Sequence, residues 1–179
     1  MKKNLKRSKP KNKKIYVYLG GPITGIRYER ANTWRQFIKA VVPKWIVVVS
    51  PMRHENPLAR GRLGIIERLS RDQLLRYQKR ITSCCRNDVK KCDIIFINLL
   101  EAEKKDKKNK GTERVSIGSV GEIFWADILG KIIIVTMKKN SIHDHIMTRE
   151  IPDVVTPSLK KGIDLIIKIA KRLRKQKSK

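Results

Sequence analysis

The chain has 179 residues, with 43 lysines and arginines against 16 aspartates and glutamates, and a formal net charge of +27. This length suffices for one domain with a sizeable core, and no run of about 20 apolar residues is present to span a membrane. The basic start lacks the apolar stretch of a secretory signal, and the three cysteines have no metal-binding spacing, so we expect a cytoplasmic protein.

Much of the positive charge lies in residues 2–14, in "KKDKKNK" at 104–110 and in "KRLRKQKSK" at 171–179. Such blocks are usually disordered and solvated. They have two interpretations: solubility with weak, nonspecific polyanion attraction, or electrostatic binding to nucleic acid. No aromatic residue interleaves with these lysines, so base stacking is not expected there. We assign 1–14 and 174–179 as basic tails around one domain at 15–173.

The predicted elements alternate between apolar strands and helices. Strands are predicted at 15–19, 45–51, 92–100 and 131–137, with a short fifth at 153–157. Helices are predicted at 28–41, about 65–82, about 118–129 and 158–173, and Ser158 is the expected N-cap of the last. Strands that are apolar on both faces indicate a parallel sheet covered on both sides. We therefore predict a single doubly wound, flavodoxin-like α/β domain whose sheet is mostly parallel and has four to five strands.

Ligands of such sheets bind beyond the carboxyl ends of the strands, near the switch point in strand order. The segments expected there include "GGPITG", "SPMRHENP" and "TMKKNSIHDH". His143 and His145 in the last segment flank Asp144, but no third metal ligand is spaced nearby. We expect this segment to close over the site, or over the site of a neighbouring subunit, and we expect no metal.

The stretch "VSIGSVGEIFWADILGK" at 115–131 is an unusual helix start. Ser119 and Glu122 form S-x-x-E, a capping box that explains the glutamate without any function. A capping box does not explain Gly118 and Gly121, because a glycine inside a helix costs about 1 kcal/mol against alanine. The alternative is a nucleophilic carboxylate, kept ionised by the helix N-terminus, at the edge of a phosphate- or sugar-sized pocket.

Three segments resemble the nucleoside 2-deoxyribosyltransferase family, which includes hydrolases of nucleoside 5'-monophosphates. They are "YLGGPITG", "NDVKKCDIIFINLL" and "VSIGSVGEIFWADILGKIIIV", and the resemblance runs from Ile15 to Leu173. It implies a transferase or hydrolase that cleaves the N-glycosidic bond of a nucleoside or its 5'-monophosphate, without a cofactor. In the implied mechanism Glu122 attacks the anomeric carbon, and the glycosyl ester then passes its sugar to another base or to water. We also expect a homo-oligomer.

The resemblance also implies roles for residues around Glu122. Tyr18 would orient the glutamate, Gly20 and Gly21 would leave room for the sugar, and Asn98 would point into the same crevice. Arg53 and His54 follow the second strand, where they either contact base or phosphate or are solvated.

The 5' end of the substrate would lie near Ser116 and the N–H groups of Gly118 and Ser119. Relatives that act on free nucleosides carry an acid at the position of Ser116, and a hydroxyl beside helix N–H groups favours a phosphate instead. Pro22, which would also line the substrate site, replaces a small hydroxyl residue that would help to hold phosphate.

The acid of the family is displaced in this chain. The family has an aspartate seven or eight residues before the one that opens the third strand, and counting back from Asp93 reaches Arg86 or Cys85. Asp88 is the alternative proton donor if the helix end is re-registered; otherwise it is a surface carboxylate paired with Lys90 or Lys91. Without an acid, the chain would be a catalytically weak nucleotide-binding or nucleic-acid-associated protein that keeps the fold.

Overall fold

The computed structural model describes residues 13–23, 26, 28–54, 70–100 and 115–177. The basic segments at 1–12 and 104–110, most of the predicted loop at 52–64 and the predicted start of the second helix lie outside these ranges. The elements within them are β1 (Ile15–Gly20), α1 (Tyr28–Val41), β2 (Ile46–Val49), a 3-10 turn (Pro51–His54), α2 (Arg71–Lys91), β3 (Ile94–Asn98), α3 (Ile117–Ile128), β4 (Ile132–Thr136), α4 (Ile146–Glu150), β5 (Val154–Thr156) and α5 (Leu159–Gln176).

The five strands form one sheet in the order β2-β1-β3-β4-β5, and every neighbouring pair is parallel. Helices connect the strands and cover both faces of the sheet. This is the flavodoxin-like order, in which the direction of winding reverses between β1 and β3. The fold class predicted from the sequence is confirmed, and each strand is found within or next to its predicted range.

Alternate residues of each strand face opposite sides of the sheet. One side, which we call the α1/α5 face, packs Val17, Leu19 and Phe96 under those two helices. The other side, the α2/α3 face, packs Tyr18, Ile95 and Ile97 under the other pair. Both sides are apolar over most of their area, which explains why the strands read as continuous apolar runs rather than alternating ones.

Helix α5 lies unusually close to the sheet at Gly162. A Cβ added there would be 2.6 Å from the Phe96 ring and 2.8 Å from Thr136 Cγ2. The ring of Phe96 also meets Trp34 of α1, with ring centroids 6.2 Å apart. Gly162 thus allows α5 to pack against an aromatic pair in the middle of the α1/α5 face.

Two helices extend beyond their predicted ends. Helix α2 continues to Lys91 rather than ending near 82, because its last turns carry the fully buried Val89 onto the α2/α3 face. Such tertiary packing outweighs the low helix propensity of Thr82 and Ser83. Helix α5 continues to Gln176, so residues 174–176 are helical rather than a separate tail. The Ser158 cap is confirmed, since its side chain accepts a hydrogen bond from the Lys161 N–H at 3.2 Å.

The described ranges contain no helix that is long and apolar enough to cross a membrane. The three cysteines all fall within those ranges and carry free thiols: Cys84 and Cys85 are partly buried in α2, and Cys92 is buried. The short helix α4 was not predicted. It begins at His145, whose Nδ1 accepts a hydrogen bond from the Met147 N–H at 3.2 Å.

Candidate active site

The candidate site lies at the carboxyl end of β1, where the strand order reverses. Tyr18 and Gly20 come from β1, and Glu122 comes from the second turn of α3, the helix that follows β3. This is the place at which doubly wound sheets bind their ligands.

Glu122 and Tyr18 form a buried hydrogen bond. The Tyr18 hydroxyl donates to Glu122 Oε1 at 2.5 Å, and the glutamate is only 8% exposed. The second carboxylate oxygen, Oε2, is buried and has no hydrogen-bond partner among the residues that the structure describes. The contact is the one expected if Tyr18 orients Glu122, and it leaves one oxygen of the carboxylate without a partner.

Gly20 and Gly21 leave space that other protein atoms occupy. A Cβ on Gly20 would lie 2.3 Å from Glu122 Oε2 and 2.3 Å from Ile97 Cδ1, so the Glu122 carboxylate already fills that space. Gly21 has a φ of +154°, and a Cβ there would be 2.7 Å from the Asn98 carbonyl oxygen. Any wider side chain at these two positions would therefore displace the carboxylate or the backbone of β3, and the predicted role of both glycines in leaving room for a sugar stays a prediction.

The capping-box explanation of Glu122 is wrong. Helix α3 begins at Ile117 with Ser116 as its N-cap residue, so Ser119 is already inside the helix. The Ser116 and Ser119 hydroxyls hydrogen bond to each other at 2.8 Å, while Glu122 binds Tyr18. Gly118 lies one turn before Glu122, and apart from its own helix no atom of the described residues comes within 4 Å of its Cβ position. The described part of the chain therefore leaves this helix surface uncovered.

Burial dominates the ionisation of Glu122. Loss of hydration raises the pKa of this carboxyl to about 7, although the Tyr18 hydrogen bond and the charge of Arg35 both lower it. The negative charge of Asp88 raises this pKa further. The helix N-terminus was expected to keep Glu122 fully ionised, but burial outweighs it, and near pH 7 the group is about half ionised. Pocket carboxyls with pKa values raised in this way are typical of functional sites.

Arg35 is a buried member of the site that sequence analysis missed. Its Nε donates to the Leu19 carbonyl at 3.1 Å and its Nη2 to the Gly21 carbonyl at 3.0 Å. A third donor, Nη1, binds the Ala31 carbonyl, and the guanidinium lies 4.3 Å from the ring centroid of Trp34. Arg35 therefore fixes the backbone on both sides of Gly20, and its positive charge stabilises the ionised form of Glu122.

Cys85 is one of the two residues reached by counting back from Asp93, and it lies beside Tyr18. Burial raises the pKa of its thiol to about 11, and the neighbouring Tyr18 hydroxyl lowers it. Arg86, the other residue that counting back reaches, instead places its guanidinium 5.6 Å from the Trp125 ring centroid. The polar group next to Tyr18 is thus a thiol that gives up its proton poorly near neutral pH.

Asp88 is not a surface carboxylate paired with Lys90 or Lys91. It is 8% exposed, and its Oδ1 accepts a hydrogen bond from Arg53 Nη2 at 2.6 Å. Its Oδ2 is buried with no hydrogen-bond partner in the described ranges. Arg53, predicted to contact substrate or to be solvated, is held by this ion pair at the edge of a cavity of about 500 Å³ beside β2. The charge of Asp88 still reaches Glu122, whose pKa it raises.

Asn98 was predicted to point into the crevice with Glu122, and in the structure its side-chain oxygen is engaged by other protein groups. Its position in β3 has the same parity as Ile94 and Phe96, which face α1 and α5. Its Oδ1 accepts hydrogen bonds from Thr136 Oγ1 at 2.9 Å and from the Leu100 N–H at 3.1 Å. Asn98 thus ties the ends of β3 and β4 together on the opposite face of the sheet.

His143 packs against the start of α3. Its Nε2 accepts a hydrogen bond from the Ser116 N–H at 2.8 Å, and the ring is buried. The Ser116 N–H is therefore engaged, while the N–H groups of Gly118 and Ser119 lie in the first turn, where a helix offers them no acceptor. His145 caps α4 instead, and the described ranges hold no group of three or more residues suited to a metal ion. Pro22 lies buried in the loop after β1.

No protein-family model and no curated protein matches this chain, whereas 14 chains of known structure do. The 2-deoxyribosyltransferase of Bacillus psychrosaccharolyticus aligns with a TM-score of 0.52 and 15% identity, over 85% of this chain and 90% of its own. A conserved protein from Enterococcus faecalis V583 aligns with a TM-score of 0.54 and 14% identity, over 87% of this chain and 99% of its own. The CMP N-glycosidase of Clostridium botulinum aligns with a TM-score of 0.43 and 16% identity, over 84% of this chain and 97% of its own. The first two likenesses establish a shared fold.

Proposed function

We propose that this protein cleaves the N-glycosidic bond of a deoxynucleoside, a nucleoside or one of their 5'-monophosphates, with Glu122 as the nucleophile. The observation that carries the proposal is the buried Glu122 carboxylate, held by Tyr18 and seated against Gly20 at the switch point of the sheet. The similarity of fold to a 2-deoxyribosyltransferase is consistent with it.

The proposed reaction proceeds in two steps. Ionised Glu122 forms a bond to the anomeric carbon as the carbon–nitrogen bond breaks, and the base departs with the electron pair and gains a proton. Another base, or water, then attacks the anomeric carbon and releases the glutamate. A partly buried carboxylate suits this role, because a low-dielectric site strengthens its attraction to the positive charge that develops on the sugar.

Asp88 is the proposed proton donor to the leaving base. Two observations support this role: Asp88 Oδ2 is buried without a hydrogen-bond partner in the described ranges, and the charge of Asp88 raises the pKa of Glu122. Arg53 holds the other oxygen, so the carboxyl group must loosen this ion pair to carry a proton. The proposed 5' pocket is formed by the Ser116 hydroxyl and the first-turn N–H groups of Gly118 and Ser119, which favour a phosphate.

The experiment that tests the proposal is incubation of the protein with a panel of nucleosides and 5'-monophosphates, followed by chromatography for released base. Acid quenching during turnover and mass spectrometry of the digested protein should locate a sugar ester on the peptide that contains Glu122. The matched control is Glu122→Gln, which keeps the shape of the side chain and should yield neither base nor ester. Base release without an ester, undiminished in that variant, would exclude the covalent mechanism.

A second candidate is a nucleotide-binding protein with weak or no catalysis. Two observations favour it: Arg53 engages Asp88, and the thiol of Cys85 has a pKa of about 11 and is a poor acid. Calorimetry would then detect binding of nucleotides from the same panel while chromatography detects no released base.

A further inference from the structure

Helix α5 has two faces of opposite character. Its inner side packs Ile163, Ile166 and Ala170 onto the α1/α5 face of the sheet, and Gly162 allows a close approach. With the apolar side fully used in the core, the outer side is what the helix offers to other molecules.

The outer side carries a row of cations. The helix sequence "LKKGIDLIIKIAKRLRKQ" contains seven lysines and arginines and a single acid, Asp164. Six of the seven have exposed side chains: Lys160, Lys161, Lys168, Lys171, Arg172 and Lys175. We name these six residues the α5 basic face. From Lys161 to Lys175 the row is about 21 Å long, because an α-helix rises about 1.5 Å per residue.

The positive surface continues past the end of the helix. Arg174 lies with its guanidinium 4.8 Å from the ring centroid of Trp45, which brings the last turn of α5 beside the exposed Lys44. The Trp45 carbonyl accepts a hydrogen bond from the Ile15 N–H at 3.1 Å, and the exposed Lys14 precedes Ile15. Two further cations thus join the row at the amino end of the sheet.

We propose that the α5 basic face binds the phosphate backbone of double-stranded nucleic acid. A duplex carries about one negative charge per 1.7 Å of its axis, so it matches an elongated band of cations, here interrupted only by the exposed Asp164, better than a compact anion does. The row contains no aromatic side chain, which predicts backbone contacts without reading of bases. Insertion into a bilayer is disfavoured, because it requires an exposed apolar side that α5 lacks.

This surface lies away from the candidate active site. Helix α5 covers one face of the sheet, whereas Tyr18 and Glu122 lie on the other. Bound nucleic acid would therefore leave the Glu122 pocket open, and the interaction is independent of whether that pocket is catalytic.

The test compares two triple variants of the full chain that lose the same charge. Lys161→Gln, Lys168→Gln and Lys175→Gln together remove three of the six cations of the α5 basic face, spaced along its length. The control combines Lys79→Gln, Lys90→Gln and Lys139→Gln, which are exposed lysines of α2 and of the turn after β4. The readout is fluorescence anisotropy of a labelled DNA duplex across a salt series. Circular dichroism melts check that each variant is folded.

Loss of three phosphate contacts should flatten the plot of log binding constant against log salt by about 2.7, at about 0.9 per contact. The wild type should then lose about 40-fold more affinity than the α5 variant between about 50 and 200 mM salt. The control variant should keep the slope of the wild type. Equal changes in both variants, or no duplex binding by the wild type, overturn the proposal. So does an α5-dependent interaction with vesicles of anionic lipid but not with DNA.

Discussion

The two faces of the sheet carry different kinds of residues although the same strands build them. On the α1/α5 face, β1 contributes Val17 and Leu19 to an apolar core. On the α2/α3 face, the same strand contributes Tyr18 and Gly20, which hold the buried carboxylate of Glu122. Both faces bury polar side chains here, but those of the α1/α5 face have partners: Arg35 donates to the Leu19 and Gly21 carbonyls, and Asn98 bonds Thr136. On the α2/α3 face one oxygen of Glu122 has no partner among the described residues, and burying such a group is unfavourable for stability.

Two glycines illustrate the same contrast. Gly162 allows α5 to approach the ring of Phe96, a contact between apolar groups. Gly20 allows Glu122 Oε2 to approach the backbone of β1, a contact that places one reactive group. A methyl group in either position would clash, but only the clash at Gly20 would displace a carboxylate.

The largest expected effect comes from removing the carboxylate itself. Glu122→Ala should lower kcat for base release at least about 10³-fold, because no other group can form the ester. A conservative change on the other face, Ile166→Val, should lower the free energy of unfolding by about 1 kcal/mol and leave kcat unchanged. Single-turnover assays with thermal melts separate the two outcomes. Near-normal turnover in the alanine variant would mean that Glu122 is only a structural residue.

Gly20→Ala should have the next largest effect on activity. The added Cβ would lie only 2.3 Å from Glu122 Oε2 and would force that oxygen away, and a displacement of about 1 Å can lower kcat about 100-fold. Gly162→Ala is the matched change on the α1/α5 face and should cost about 1–3 kcal/mol of unfolding free energy through overpacking. With protein kept folded at low temperature, kcat should fall for the first variant alone. A fall of similar size in both would tie activity to general packing rather than to the carboxylate.

Ser116→Asp tests the end of the site that would hold the 5' group. A carboxylate there would repel a phosphate by roughly 1–3 kcal/mol, or about 10- to 100-fold in kcat/KM. The wild type is expected to prefer a deoxynucleoside 5'-monophosphate over the free nucleoside, and the variant is expected to reverse that order. Equal efficiencies on both substrates, unchanged by the substitution, would show that Ser116 does not read the 5' end.

The smallest expected effect is a shift in a pH profile. Glu122 must be ionised to attack, and its pKa is about 7, so kcat/KM should rise as pH passes through this value. Tyr18→Phe removes a hydrogen bond that lowers this pKa, and the rising limb should move to higher pH. The expected loss at about pH 6 is severalfold and should shrink at high pH. A profile that is flat across this range would contradict the assigned ionisation.

The strands and the doubly wound fold class were accessible to sequence analysis, because buried parallel strands are continuous apolar runs and helices follow them. The side-chain pairs of the site were less accessible. Arg35 falls in the same helical stripe as Ala31, Trp34 and Ile38, and a charge within that stripe was the available signal. The Arg53–Asp88 pair and the Ser116–His143 contact join residues 35 and 27 positions apart. Such contacts depend on how helices and loops dock, which local patterns do not specify.

Lys14 and Lys177 both lie at the amino ends of the strands, at the same end of the sheet. Lys14 directly precedes β1, and Lys177 Nζ binds Asp93 Oδ1 at 2.5 Å just before β3 begins. Glu122 lies at the other end, beside the last residue of β1. A surface, resin or fused partner attached at either of these positions would therefore hold the protein with its pocket facing outward. Immobilisation through Lys14 or through Lys177 should leave access of small molecules to the pocket equally unhindered.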